Sequence, residues 1–173
     1  MSRYVAHIFL HPIQLDLHLN TAFPQTLICL LQKKLTETSE QTHFIFYTPI
    51  DVILSTTDIR QPDIVLVNRK RIDILTNRGI EGTPDLVIEI LSPSSLERDK
   101  IDKLKTNAEY MIPEYWIVDP NSYVLEQYLL TNDRYEIINV FQAMETMSSP
   151  TITSVSFTMQ DIKKRIPLLN NNK

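Results

Sequence analysis

The chain has 173 residues with 43% hydrophobic and 22% charged side chains, ordinary values for one soluble globular domain. Its 17 basic and 21 acidic residues give a net charge of −4, which is no global signature of a nucleic-acid binder but leaves room for a local basic patch. Only 2 glycines stand beside 10 prolines, where average usage would give roughly twelve glycines, and this excludes glycine-rich phosphate loops and dinucleotide turns. Both glycines fall in one window, Arg78-Gly79-Ile80-Glu81-Gly82. No run approaches the length of a membrane helix, and the start, Met1-Ser2-Arg3-Tyr4-Val5, has none of the parts of a signal peptide. A single cysteine, Cys29, within Leu27-Ile28-Cys29-Leu30-Leu31, is expected to pack in the core. Together these features predict a cytoplasmic domain spanning 1–173, frayed over the last residues, 170–173.

Residues 4–10 and 13–19 read as short strands. Residues 24–37 read as a helix with Pro24 in its first turn and Leu27, Leu30, Leu31 and Leu35 on one face. The period then changes to that of strands at 43–47, 51–54 and 63–67, and Arg69-Lys70-Arg71 forms a basic connector. Beyond the glycines, Asp85-Leu86-Val87-Ile88-Glu89-Ile90-Leu91 is aliphatic on both faces, as in a central strand covered on both sides. Ser94 and Glu97 form a capping-box pattern that starts a helix near Ser95, and Pro113 bars its extension much beyond Met111. Strands follow at 114–118, 123–130, 134–141 and 151–157, and Thr158 with Asp161 caps a short final helix. The order of elements predicts one mixed sheet with helices packed on it.

Three carboxylates stand out: Asp63, Asp85 and Glu89. Glu89 interrupts a run that should be buried, so it must be protonated, paired with a cation or bound to a metal. Asp85 and Glu89 share a strand face but lie roughly 13 Å apart, too far to hold one ion. If the strands at 63–67 and 85–91 pair antiparallel, Asp63 falls beside Glu89; if they pair parallel, it faces Asp85. The antiparallel case is preferred, and two carboxylates with waters suit Mg²⁺ or Mn²⁺. On a helical wheel, Ile101, Leu104, Ala108 and Ile112 form a packing stripe, and Asp99, Lys103, Asn107 and Tyr110 a polar one. Lys103 lies roughly 12 Å along that helix, placed to point back over the end of the strand. Each aspartate alone could equally cap a turn, and Lys103 could pair with Asp99 on a solvated face. His7 and His11, four apart, are read on a strand, where they cannot share a metal. Trp116 reads as core. Arg69, Lys70 and Arg71, with Arg78, are the best candidates for phosphate-backbone contact, expected near the carboxylates.

Several linked stretches resemble the Uma-type restriction-endonuclease family of bacteria, which belongs to the PD-(D/E)XK nuclease superfamily. They are Gln61-Pro62-Asp63-Ile64-Val65-Leu66-Val67, Gly82-Thr83-Pro84-Asp85 through Glu89 to Ser95, then Asp99 and Lys103, then Pro113-Glu114-Tyr115-Trp116-Ile117-Val118-Asp119-Pro120. The match covers about residues 50–130. The resemblance implies an α/β, restriction-endonuclease-like mixed β-sheet flanked by helices and Mg²⁺- or Mn²⁺-dependent hydrolysis of DNA phosphodiester bonds. By resemblance, Asp63 and Glu89 hold the metal and Lys103, moved onto the helix, replaces the lysine that Leu91 lacks. Asp85, Asp99 and Tyr110 are placed as supporting residues. A homodimer cutting both strands is the superfamily expectation. The chain departs from the family in lacking a Tyr-Glu-Leu-Ile-Asp-Gly-like stretch near its start. The alternatives are a catalytically inactive nuclease fold serving as a DNA-binding or protein-interaction module, and a nuclease for RNA or branched DNA.

Overall fold

The structure, a computed structural model, describes residues 16–91 and 97–166, with side chains from residue 23 and, in the second helix, from residue 101. The expected strand at 4–10, His7 and His11, the capping serines at 92–95 and the final residues lie outside the described residues. Helix α1 spans Asp16–Ser39. It takes the place of residues 16–19 of the strand expected at 13–19, whose residues 13–15 lie outside the described residues, and it carries Pro24 in its interior rather than its first turn. The alternation of Leu15, Leu17 and Leu19 fits a strand, but so short an apolar run cannot tell the two periods apart. Leu27, Leu31 and Leu35 are fully buried on the expected face, whereas Cys29, a position away from that stripe, is exposed and not core.

Strand β1 (His43–Tyr47) is followed by β2 (Val52–Ile53), β3 (Ile59–Arg60) and β4 (Ile64–Asn68). A 3-10 turn over Arg69–Ile74 leads to β5 (Leu75–Thr76), β6 (Gly79–Glu81) and β7 (Leu86–Ile90). Helix α2 (Glu97–Glu109) precedes β8 (Glu114–Asp119), β9 (Val124–Thr131), β10 (Arg134–Phe141), β11 (Thr146–Ser148), β12 (Ser156–Thr158) and α3 (Met159–Lys163). The main sheet has six strands in the order β1-β4-β7-β8-β9-β10, mixed because β7 and β8 run parallel with α2 as the crossover. The single sheet expected from the pattern is supplemented by a four-stranded sheet, β3-β2-β6-β5, and the two-stranded β11-β12. The strand expected at 151–157 divides accordingly, with only its last residues in β12. Strands of two residues carry no readable alternation.

One face of the main sheet packs Leu66, Ile88, Trp116 and Leu125 against α1 and the C-terminal segment. The other packs Val87, Tyr115, Ile117 and Tyr128 beneath α2. Ile101 departs from the expected packing stripe of α2: it is 64% exposed, whereas Ala108 and the following Ile112 are buried. The helix ends in a Schellman arrangement, in which Ile112 N–H donates to the Asn107 carbonyl and Met111 N–H to that of Ala108. Met111 takes the left-handed position at φ 57°.

The glycine window is where the small sheet turns. Gly79 has φ +137° and Gly82 φ +142°, both closed to ordinary L side chains. A Cβ on Gly79 would stand 2.3 Å from the Asp51 carbonyl oxygen, whereas one on Gly82 would meet, among the described residues, nothing nearer than Ile74 at 3.4 Å. Gly79→Ala is therefore expected to cost about 3 kcal/mol, and Gly82→Ala roughly half as much from backbone strain alone. Urea unfolding of both variants checks this, and equal losses would contradict the Asp51 contact.

His43 is buried in β1 with Nδ1 2.8 Å from the Thr42 hydroxyl. Burial lowers its pKa, partly opposed by the charge of Asp85. The unfolded chain therefore takes up a proton near the ordinary value of about 6.5 while the folded chain resists it. Stability is expected to be fully present above that pH and to fall as pH drops through the interval toward the depressed value. A His43→Gln variant should lose this slope in a Tm series across pH 5–8, and an unchanged slope would assign it elsewhere.

Candidate active site

The register of the main sheet decides which carboxylates meet. Strands β4 and β7 pair antiparallel, with Ile64 opposite Ile88, Val65 opposite Val87 and Leu66 opposite Leu86. One step outward, Asp63 stands opposite Glu89, on the same face of the sheet, where directly opposed residues bring their Cβ atoms within about 5 Å. The Ile90 N–H donates to Asp63 Oδ2 at 2.7 Å and pins that carboxyl beside Glu89. Glu89 breaks the buried pattern of its strand, with its side chain 18% exposed. Lys103 reaches back from α2 and donates to Glu89 Oε2 at 3.1 Å. Of the states open to Glu89 in the sequence, pairing with a cation is the one observed.

Burial pushes the Asp63 carboxyl above the ordinary carboxylate range, opposed by the Ile90 N–H and then by the charge of Lys103. Its second oxygen, Oδ1, has no hydrogen-bond donor among the described residues. A desolvated carboxylate with an open oxygen beside a second carboxylate is a donor set that fits a hard divalent cation, completed by waters and phosphate oxygens. Among the described residues, no group of three or more His, Cys, Asp or Glu side chains converges to hold an ion by itself.

A cavity of about 410 Å³ opens beside this pair, between α2 and the small sheet. Glu89 and Lys103 are in its wall, together with Asp51, Arg60, Gln61, Thr106 and Asn107. Gln61 Nε2 donates to Asp51 Oδ1 at 2.7 Å, and Arg60 is tied to Asp58 at 2.6 Å. The sequence offered a signal for two of these: Gln61 adjoins Pro62-Asp63, and Asn107 lies one helical turn after Lys103. Nothing in the sequence marks Asp51 or Arg60, because the hairpin that delivers them is made of two-residue strands.

Other expected site residues lie elsewhere. Asp85, at the far end of β7, accepts from Asn68 N–H at 2.6 Å and from Arg71 Nη1 at 3.4 Å, so it closes the other end of the β4–β7 pair. The basic connector shares that far end, beside Asp85, which corrects its expected closeness to the site at Asp63 and Glu89. The five residues of β4 lie between Asp63 and Arg69, which sets the two roughly 20 Å apart along the strand. There Arg69 donates to the Glu40 carbonyl at 2.5 Å and lies over the Phe44 ring, while Arg71 is paired with Asp85. Lys70 is exposed and donates its backbone N–H to Asn68, and Arg78 pairs with Glu81. Tyr110 bonds the Ser55 hydroxyl at 3.2 Å and props α2 against the loop between β2 and β3 without lining the cavity. Asp99 lies in α2, but its side chain is outside the described residues.

A crystal structure described as a putative nuclease belonging to DUF820, from Anabaena variabilis ATCC 29413, matches with a TM-score of 0.64 and 18% sequence identity, over 81% of this chain and 79% of that one. That likeness shows the fold, a mixed α/β sheet flanked by helices as in that protein. No curated protein matches the chain. No helix among the described residues is long and apolar enough to cross a membrane. The profile of the Uma2 family, "Putative restriction endonuclease", matches residues 16–160, well over half of the sequence, and the chain belongs to that family.

Proposed function

We propose that the protein hydrolyses phosphodiester bonds of DNA with a divalent cation, Mg²⁺ or Mn²⁺, held by Asp63 and Glu89. The observation that carries this reading is the register that sets Asp63 beside Glu89 on neighbouring strands, with Lys103 of α2 bonded to Glu89 and both Glu89 and Lys103 in the wall of one cavity. When bound, the cation supplies polarisation of the phosphate and an acidified water. Asp63, fixed through Ile90, presents its open oxygen, and Glu89 holds the facing position from the neighbouring strand. Lys103 Nζ, beside Glu89, can orient the attacking water and offset charge that develops on the phosphate oxygens. Family membership supports nucleolytic chemistry. DNA as substrate, and action as a pair of copies so that both strands are cut, extend that reading.

The test is conversion of supercoiled plasmid to nicked and linear forms with Mg²⁺, by wild type and by Glu89→Gln. Cleavage by wild type that is abolished by chelator and by the variant supports the proposal. Equal activity in both, or plasmid binding without nicking under Mg²⁺ and Mn²⁺, overturns it, and the second outcome supports the non-catalytic alternative.

A further inference from the structure

The cavity beside Glu89 has two chemically different ends. The ionic end is Glu89 with Lys103. Two residues back from Glu89 along β7 stands Val87, which with Val52, Leu54, Ile59 and Ile112 makes the aliphatic part of a wall that also holds Asp51, Arg60, Gln61 and Thr106. A phosphate, a metal ion and their waters have no use for such a surface. Into this aliphatic end the second half of α2 brings Asn107, which is 8% exposed. Its carboxamide hydrogen-bonds to no other described residue, yet none of its polar atoms is sealed from the cavity. Its backbone is held rigidly, because its carbonyl accepts the Schellman bond from Ile112. A largely buried carboxamide on an anchored backbone, set among apolar side chains, suits a flat, apolar ligand with a polar edge.

The spacing names that ligand. One turn of α2 is about 5.4 Å and two residues of β7 about 6.6 Å. One sugar ring bridges that gap between a nucleotide's phosphate and its base. A volume of about 410 Å³ has room for a single base.

We infer that the aliphatic end of the cavity takes an unpaired nucleobase, hydrogen-bonded at its edge by Asn107, while the phosphate of the same nucleotide lies at Glu89 and Lys103. The inference rests on the proposed phosphodiester chemistry and adds the form in which the substrate is presented. A base inside a duplex must leave the stack to enter, which costs least for single-stranded, mismatched or branched DNA. Those substrates are therefore bound ahead of intact duplex.

The experiment uses the full chain with Ca²⁺ and a single-stranded oligodeoxynucleotide carrying one 2-aminopurine. None of the described residues lining the cavity is aromatic, so a 2-aminopurine inserted among them is unstacked and its fluorescence rises several-fold instead of being quenched. The expected result is a saturable rise with wild type and binding weakened about tenfold or more in Asn107→Leu. An oligonucleotide with an abasic position in place of the fluorescent base should bind wild type correspondingly less well, an arm that needs no variant to fold. Unchanged fluorescence together with equal binding of abasic and intact strands overturns the inference. If wild type cleaves with Mg²⁺ but is indifferent to both changes, the base subsite falls and the hydrolytic reading stands. If binding depends on the base and on Asn107 but nothing is cleaved, the subsite stands and the hydrolytic reading falls.

Discussion

Glu89→Gln is expected to lower metal-dependent cleavage by about 10³-fold while leaving the fold intact. Glutamine keeps the shape and can still accept from Lys103, so the sheet has no reason to rearrange. What it removes is the charge proposed to hold the cation, and a cation supplies several kcal/mol of transition-state stabilisation, or about 10³-fold in rate. Asp63→Asn should lose as much activity for the same reason, but its stability should move the other way. The Asp63 pKa is raised chiefly by burial, so the folded state favours the protonated form. Its contribution to stability is fully present below the ordinary carboxylate pKa and is lost as pH rises through the raised value. At neutral pH the ionised side chain is a net cost, and the neutral amide relieves it while still accepting from Ile90. The Tm of Asp63→Asn at pH 7 should therefore equal or exceed that of wild type. Lys103→Ala is expected to cost about 10²–10³-fold, the scale of one preorganised donor to a developing oxyanion. A Glu89→Gln protein that cleaves within tenfold of wild type would remove the carboxylate pair from the chemistry.

The largest expected loss of stability comes from a residue distant from the cavity. Glu114 is completely buried at the start of β8. Its Oε1 accepts from Trp116 Nε1 at 2.6 Å and Gln127 Nε2 at 2.7 Å, and its Oε2 from the Ser149 hydroxyl at 2.6 Å and from the Thr151 hydroxyl. Asn139 extends the network through Gln127 at 2.8 Å. Removing the acceptor by Glu114→Ala leaves four donors facing a void, each costing on the order of 1–3 kcal/mol if unmet, though neighbouring losses do not simply add. A total near 4 kcal/mol is expected, enough to consume much of the stability of an ordinary domain. Glu114→Gln keeps one acceptor oxygen and should cost less than half as much. Chemical denaturation of the two variants checks this ordering, and a Glu114→Ala protein within 1 kcal/mol of wild type would mean that water replaces the carboxylate.

How far the site could be read in advance follows the length of the elements. Strands β4 and β7 are long and apolar enough to be recognised, and once they pair antiparallel, Asp63 must meet Glu89. Lys103 was reachable because a helix wheel is rigid geometry. The basic connector was misplaced because adjacency in sequence says little about which end of a strand a loop leaves. Ile101 was misassigned because a wheel shows which face is apolar but not where the sheet beneath it ends. Of the hairpin that brings Asp51 and Arg60 to the cavity, the strand expected at 51–54 contains β2, but β3 is not legible, since two residues have no period. The network around Glu114 joins positions up to 37 residues apart, and only the folded chain relates them.

The two aspartates that follow prolines do the same local job. Each tips its carboxyl onto a backbone amide of the partner strand, Asp63 onto Ile90 and Asp85 onto Asn68, so the β4–β7 ribbon is bracketed at both ends. At one bracket the other oxygen is taken by Arg71; at the other it is left open with a glutamate facing it and a lysine overhead. A corner proposed to hold a cation thus requires no scaffold of its own. It is an ordinary fastening of an antiparallel strand pair with one valence left unspent, and the distance between a structural clasp and a reactive one is the choice of two neighbours.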